Sequence, residues 1–518
     1  MAWSSRRSST FLQPAFLFSL EFGQLIPILC IECIDRREPI ATIDVSKLLM
    51  NHVFVSLRAK VYTDSTGAFA ELPALLTDGG VLTPLLDYFI ARRHDRSLAW
   101  MKKVIRSMQL FLEYIQSNPA ERDTYRLFQN FAQRLYTGTF DRSTMLDPGG
   151  LCWHPLGPRD CAHIVTDLTG FFDWLGEVRP PAAQVNPRYV GDAFDRMTDQ
   201  AAYQYRRDRA FLGHTWASNA SNPASAHLVR PKRVPLVEAA EPPQFPDDRF
   251  MELLTDGFKI GGRHDLRNIL ISLLLHGAGF RASEPFHLYV SDVIPDPSNE
   301  RSALVRIHHP SFGEAPADWR GPNGQKLRGN RAAFLAEKFV LVPRTELLGS
   351  QGAGWKGGTH DGPYYKQAHW FLPEFGELFL KIWQRYMHEL AVLTRPHPFA
   401  FINLRSEPRA AMYCLPQYNK AHRAACERIG LKVAKSLGTT PHGHRHAYGK
   451  RLSNAGVHEF LIRRFMHHAS LESQGVYTQP SSKEARDALV AAAQRLNSTA
   501  KQPLSTTLFD ASRRILTE

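Results

Sequence analysis

Apolar residues begin to return at helical spacing at Thr83. Pro84 takes a first-turn position, and Leu85, Leu86, Phe89 and Ile90 share one side. The clearest run of this half covers 97–116. Met101, Ile105, Met108, Leu112 and Ile115 recur every three or four residues and line one buried face, while Lys102, Lys103 and Arg106 fall elsewhere on the surface. A third run holds Leu127, Phe128, Phe131 and Leu135, and a fourth holds Ile164, Leu168, Phe171, Phe172 and Leu175 before Pro180 and Pro181 stop it. Four helices joined by short or moderate loops predict a helical domain over 77–190, preceded by a segment at 50–76.

Over 191–245 the apolar period fades. Arg206, Arg207, Arg230, Lys232 and Arg233 flank the small, polar ASNASNPASAH, and a proline-rich stretch comes next, which reads as a basic interdomain linker. A second domain is expected over 246–492, with a tail at 493–518. Its apolar helix NILISLLLHGAGF leads to LYVSDV, the run into a strand, and 303–310 is a strand candidate. After a polar, glycine-rich and basic insertion reaching Gln351, GWKGG and YYKQAHWF read as a hairpin turning at THDG, with Lys356 at its start. Helices are expected from Pro373 and over 419–430. The stretch 441–479 then reads helix, turn at Gly456, second helix through Phe460, Leu461 and Phe465, short loop, and Tyr477. The fold class is mainly α with a small antiparallel sheet (α+β).

Charge adds a partner. Lys plus Arg number 63 against 50 Asp plus Glu, a net +13, so a polyanion fits. Six cysteines in 518 residues do not make a disulfide scaffold, and the Cys30–Cys33 pair has no second pair at zinc-finger spacing. Arg6 and Arg7 before an apolar run resemble a leader, but Glu21 and Gln24 interrupt it short of the roughly 18 apolar residues of a membrane span. Residues 1–49 differ in character from the rest of the chain, and translation from Met50 is expected. The location expected is the cytoplasm.

The chemistry lies in a set of phosphate-handling side chains in chain order: Arg281, Lys356, His442, Arg445, His468 and Tyr477. His442 and Arg445 are three apart, so a helix puts them on one face. GFRASEP at 279–285, HGHR followed by His446, and MHHAS with Tyr477 nine residues beyond His468 resemble the ordered boxes of the tyrosine recombinases, or phage integrases. GAGFRASEPFHLYV, NRAAFLAEKF and TTPHGHRHAYGKRL further resemble the recombinase of the gamma-mobile-trio bacterial mobile elements. This sequence departs from the pattern at His444, where a leucine is usual, and at Pro285, which bends or shortens a helix after Glu284. The long insertion leaves Lys326 as a competitor to Lys356.

The resemblance implies a helical core-binding domain followed by a catalytic domain that cleaves and rejoins DNA through a 3′-phosphotyrosine on Tyr477. Arg281 and Arg445 would hold the phosphate, Lys356 would protonate the leaving oxygen, and His442 would assist proton removal or hold the phosphate. His468 would donate to the phosphate, and Glu284 would support Arg281. Such a protein clamps double-stranded DNA between its domains and works as a dimer to tetramer, with accessory proteins of the element, in the bacterial nucleoid. No metal and no cofactor are implied. The DNA-binding candidates are Lys102, Lys103, Arg106, Arg206, Arg207, Arg230, Lys232 and Arg233. Alternatives are a type IB topoisomerase-like or resolvase activity, a non-catalytic DNA-binding regulator, and a metal-dependent hydrolase at the histidine cluster.

Overall fold

The computed structural model describes residues 54–62, 69–141, 143–188, 193–209, 227–232, 242–469 and 494. The expectations for 1–49, Arg233 and Tyr477, and all of the 493–518 tail except residue 494, lie outside the described residues, as does the side chain of Arg206. The chain divides into two compact units, Met1–Leu236 and Val237–Glu518.

The first unit opens with strands that the helical period did not announce. β1 (Val55–Tyr62) alternates half-buried and exposed positions, as a strand with one covered face must, and pairs antiparallel with β2 (Phe69–Thr77). β2 also pairs with the two-residue β3 (Gly80–Val81). Leu72, Ala74 and Leu75 of β2 are buried, and β2 packs on α1 (Thr83–Arg92) and α2 (Leu98–Ser117). Ser97 caps α2 by accepting from the Trp100 amide, and Asp123 caps α3 (Thr124–Thr137) by accepting from Tyr125 and Arg126. α4 (Pro158–Val178) starts with proline at its first turn and stops before Pro180. The core they enclose is aromatic: Phe111 meets Phe128, Phe131 and Phe172 edge to face at 5.1–5.7 Å.

The expected tether at 191–245 is not irregular throughout. Residues 193–209 form α5 (Ala193–Arg209), and 227–232 is bound to the helical bundle. The Asn186 side chain donates to the Val229 carbonyl and accepts from its amide, and the Lys232 amide donates to the Tyr136 hydroxyl.

The second unit is built around α6 (Leu266–Gly277), a helix buried nearly all round and mostly apolar, with Asn268, Ser272 and His276 on one polar face. Asp265 caps it, and α8 (Pro373–Ala391) and α10 (Pro441–Asn454) pack on it. A three-stranded antiparallel sheet, β6 (Val293–Asp296), β7 (Asn299–His308) and β8 (Tyr365–Gln367), lies against α8, and a two-stranded ribbon (β4, Lys259–Ile260; β5, Arg263–His264) sits near the unit's start. The insertion is more ordered than its polarity implied. It contains α7 (Arg331–Phe339), whose Phe334 and Leu335 join Tyr289, Trp319 and Phe399 in a separate core, while the buried Arg331 pairs with Asp292. α9 (Leu415–Arg428) precedes α10, and the chain turns at Gly456, whose φ of +71° favours glycine, into α11 (Glu459–Phe465).

Two expectations change. GWKGG forms no strand. β8 pairs instead with Arg306–His308 of β7, and the tight turn lies at Gly362–Tyr365 rather than THDG. Three glycines around one lysine offer no alternating apolar face for a sheet to bury. Pro285 bends no α-helix either: α6 has already ended, and Pro285 sits in the first turn of a 3-10 segment, Glu284–His287.

Candidate phosphate-binding site

Arg281 lies in the turn just after α6, set up by a carboxylate. Glu284 accepts from the Arg281 amide at 2.7 Å through Oε2 and from its guanidinium at 3.1 Å through Oε1. The same Oε1 accepts from Nζ of Lys366 on β8 at 2.7 Å, with both side chains cut off from solvent. Burial alone would raise the Glu284 carboxyl, but Lys366, Arg281 and Arg445 outweigh it and bring it down to about 2. Lys366 also donates to the Lys356 carbonyl at 3.1 Å, so one buried ammonium joins the Arg281 turn to the 352–364 loop.

The second arginine is the hub. Arg445, buried on α10, donates to the Gly279 carbonyl, two residues before Arg281, and to the Met466 carbonyl, two residues before His468. His442 is one turn earlier on α10 and 4.4 Å, ring to ring, from His446. Burial first, then the charges of Arg445, Arg281 and Lys356, push His442 down to about 4 and His468 down to about 3. Three cations thus converge on the two imidazoles and favour their neutral forms, His468 buried and His442 more open to solvent. Lys356 is exposed in the loop, so its ammonium can reach a ligand. Lys326 sits in the insertion, bridged to Arg320.

The alternating histidines of HGHRH do not converge on one ion. A helix turns about 200° over two residues, and His444 points into the core while His442 and His446 share the face of Arg445. His444 lies between His276 (3.1 Å) and His422 (2.8 Å), with its ring stacked on Phe245 at 4.1 Å. Among the described residues, one group has the composition and spacing for a metal ion: Asp361, His369 and His467.

Sequence reasoning missed Lys366, Asp361, His276 and His422. His467, the residue before the predicted His468, is buried and its Nε2 lies 2.7 Å from Asp361. In the first unit, Lys102, Lys103 and Arg106 are exposed on α2, and Arg207 is half-buried on α5. Arg230 is exposed and donates to the His227 carbonyl, while Lys232 lies over the Tyr136 ring. No described helix is long and apolar enough to cross a membrane.

No family model and no curated protein matches the chain. Solved structures resemble it remotely. XerA recombinase shares 12% identity at a TM-score of 0.31, over 79% of this chain and 96% of that one. XerH site-specific recombinase bound to difH substrate shares 13% at 0.42, over 79% and 84%. The Tn1549 transposon integrase with a circular intermediate DNA shares 13% at 0.29, over 74% and 99%. Scores below 0.5 leave the reading of the site to its own residues.

Proposed function

We propose that this protein is a tyrosine-type site-specific DNA recombinase that breaks and rejoins DNA through a 3′-phosphotyrosine on Tyr477. The observation that carries the reading is the hub at Arg445, whose guanidinium is bonded to the backbone beside Arg281 and beside His468. Two guanidinium groups, two neutral imidazoles and an exposed ammonium make a site for one phosphodiester and no obvious site for anything less anionic.

In this reading Tyr477 Oη attacks phosphorus, the P–O5′ bond breaks, and the 5′ oxygen takes a proton from Lys356. Neutral His442 accepts the tyrosine proton, and Arg281, Arg445 and His468 stabilise the charge on the non-bridging oxygens. The phosphotyrosine keeps the energy of the broken bond, so a 5′ hydroxyl can reverse the step. The protein serves a mobile element of the gamma-mobile-trio kind, in the bacterial cytoplasm, as an oligomer on two DNA sites, with Lys102, Lys103, Arg106, Arg206, Arg207, Arg230, Lys232 and Arg233 on the DNA backbone.

The test is covalent trapping on nicked duplexes tiled across the DNA flanking the coding gene, with sequencing of the held end. The expected result is a 3′ end on Tyr477, with adducts abolished and DNA binding kept in Tyr477→Phe. Adducts at wild-type level in that variant would refute the reading.

A further inference from the structure

Asp361 lies at the end of the loop that carries Lys356, and none of the roles assigned to the phosphate site uses it. Its carboxylate is nonetheless a junction of three segments. Oδ2 accepts from His467 Nε2 at 2.7 Å and from the Gln367 amide of β8 at 2.8 Å, and Oδ1 accepts from His369 Nε2 at 2.8 Å. Arg464 of α11 stands 3.7 Å from Oδ1. Every donor is directed at a carboxylate that is itself nearly buried.

What it holds is a strained turn. His467 has a φ of +52°, a conformation that a bulky side chain rarely adopts unless its surroundings impose it. The surroundings here are specific. Phe280 stacks on the ring at 5.6 Å, Arg445 fixes the preceding carbonyl, and a Cβ at residue 358 would collide with the His467 carbonyl. The His467 ring has a buried Nδ1 with no hydrogen-bond partner, so its single proton sits on Nε2 and is given to Asp361. The next residue is His468, whose amide donates to the Arg463 carbonyl.

We propose that Asp361 is a positioning residue of the cleavage site: by fixing His467 in its left-handed turn it aims His468 at the phosphate held by the two arginines. The proposal rests on the reading of the protein as a tyrosine recombinase. It also accounts for a glycine at 358, where any side chain would push the same carbonyl from the other side. The metal reading of Asp361, His369 and His467 is the weaker one, since the Gln367 amide occupies Oδ2 and Arg464 places a positive charge beside Oδ1.

The experiment compares Asp361→Asn, His468→Gln and the double variant in full-length protein, on a nicked duplex that the wild type cleaves. Asparagine keeps the shape but faces one imidazole N–H with its own amide donor. Asp361→Asn is expected to slow adduct formation roughly tenfold or more in the wild-type background and less than about twofold in His468→Gln, with DNA affinity unchanged. Gly358→Ala is expected to repeat the defect. Additive losses, an unslowed Asp361→Asn, or a loss that tracks weakened DNA binding would overturn the proposal, as would a stoichiometric metal ion retained through purification and lost in Asp361→Asn. Nitrogen-15 histidine spectra keep the two readings apart. If the wild type forms no Tyr477 adduct, the functional reading falls, and a wild-type His467 Nε2–H signal absent from Asp361→Asn still supports the junction.

Discussion

Lys366 and Glu284 are both shut off from water, so neither can lose its partner cheaply. Removing one member of a buried pair leaves an uncompensated charge, which costs about 3–5 kcal/mol, whereas replacing both can be nearly neutral. Lys366→Met should therefore destabilise the protein by about 3 kcal/mol or more in urea denaturation, partly offset because Arg281 still faces Glu284. Glu284→Gln combined with Lys366→Met should recover most of that loss while leaving Arg281 less well held. A double variant no more stable than the single would contradict the pairing. The boxes around Arg281 and Arg445 were legible because they sit in short local motifs. Lys366 was not, because its partner is 82 positions away and a lysine in a three-residue strand gives no local sign of burial. Asp361 escaped for the same reason: its meaning lies in His467, 106 residues on.

At the scale of elements, α10 is joined to α6 and α9 by a chain of imidazoles whose direction can be worked out. Arg451 has no acceptor, so His276 Nε2 accepts from it at 2.7 Å, leaving its proton on Nδ1. That proton goes to His444 Nδ1, the His444 Nε2–H goes to His422 Nε2, and the His422 Nδ1–H faces the Cys426 sulfur at 3.7 Å. All three rings are neutral, and this is what replaces the usual leucine at 444. Burial above all depresses them, His422 to about 3 and the other two well below their ordinary value. The unfolded chain thus binds more protons below pH 6.5, so stability is full above that pH and is lost as pH falls toward the folded values. His422 should weaken the fold by about 2 kcal/mol between pH 7 and pH 5, a slope approaching about 1.4 kcal/mol per unit, and His276 and His444 should act in the same direction. Urea midpoints across that range should show it. His422→Gln, whose carbonyl can still accept from His444, should flatten the slope by one proton's worth; an unchanged slope would place the charging elsewhere. The helices themselves were readable from period and end signals, since Pro84, Pro180 and Gly456 mark ends by local chemistry. A small antiparallel sheet was expected too, with strands in 303–310 and YYKQAHWF, but its pairing was not, because β8 meets β7 across an insertion that neither strand encodes.

Over the whole molecule, the main apolar cores of the two units account for a sequence whose period fades between them, yet the stretch between is partly folded. Hydrophobic period reports burial and is silent about polar, largely exposed pieces such as α5, and about 227–232, which is held by hydrogen bonds to Asn186 rather than mainly by apolar side chains. The excess of 13 positive charges likewise does not say where a polyanion would lie. Lys102, Lys103 and Arg106 offer a place to ask, because they are exposed together on one side of α2, with Arg106 only 3.9 Å from the partly exposed Glu113. A surface pair of that kind contributes little, so all three side chains can turn to phosphates at small cost. Each phosphate neutralised releases counterions and adds about 0.9 to the slope of log affinity against log salt. Replacing the three with alanine should therefore lower that slope by up to about 2.7, measured by anisotropy between roughly 50 and 200 mM salt. Weakening should be similar for every duplex tested, since backbone contacts carry no sequence. Cleavage at saturating DNA should stay near wild type, because the proposed phosphate site belongs to the other unit. A slope unchanged by the triple substitution would mean that this face of α2 is merely solvated and that the DNA backbone is met elsewhere.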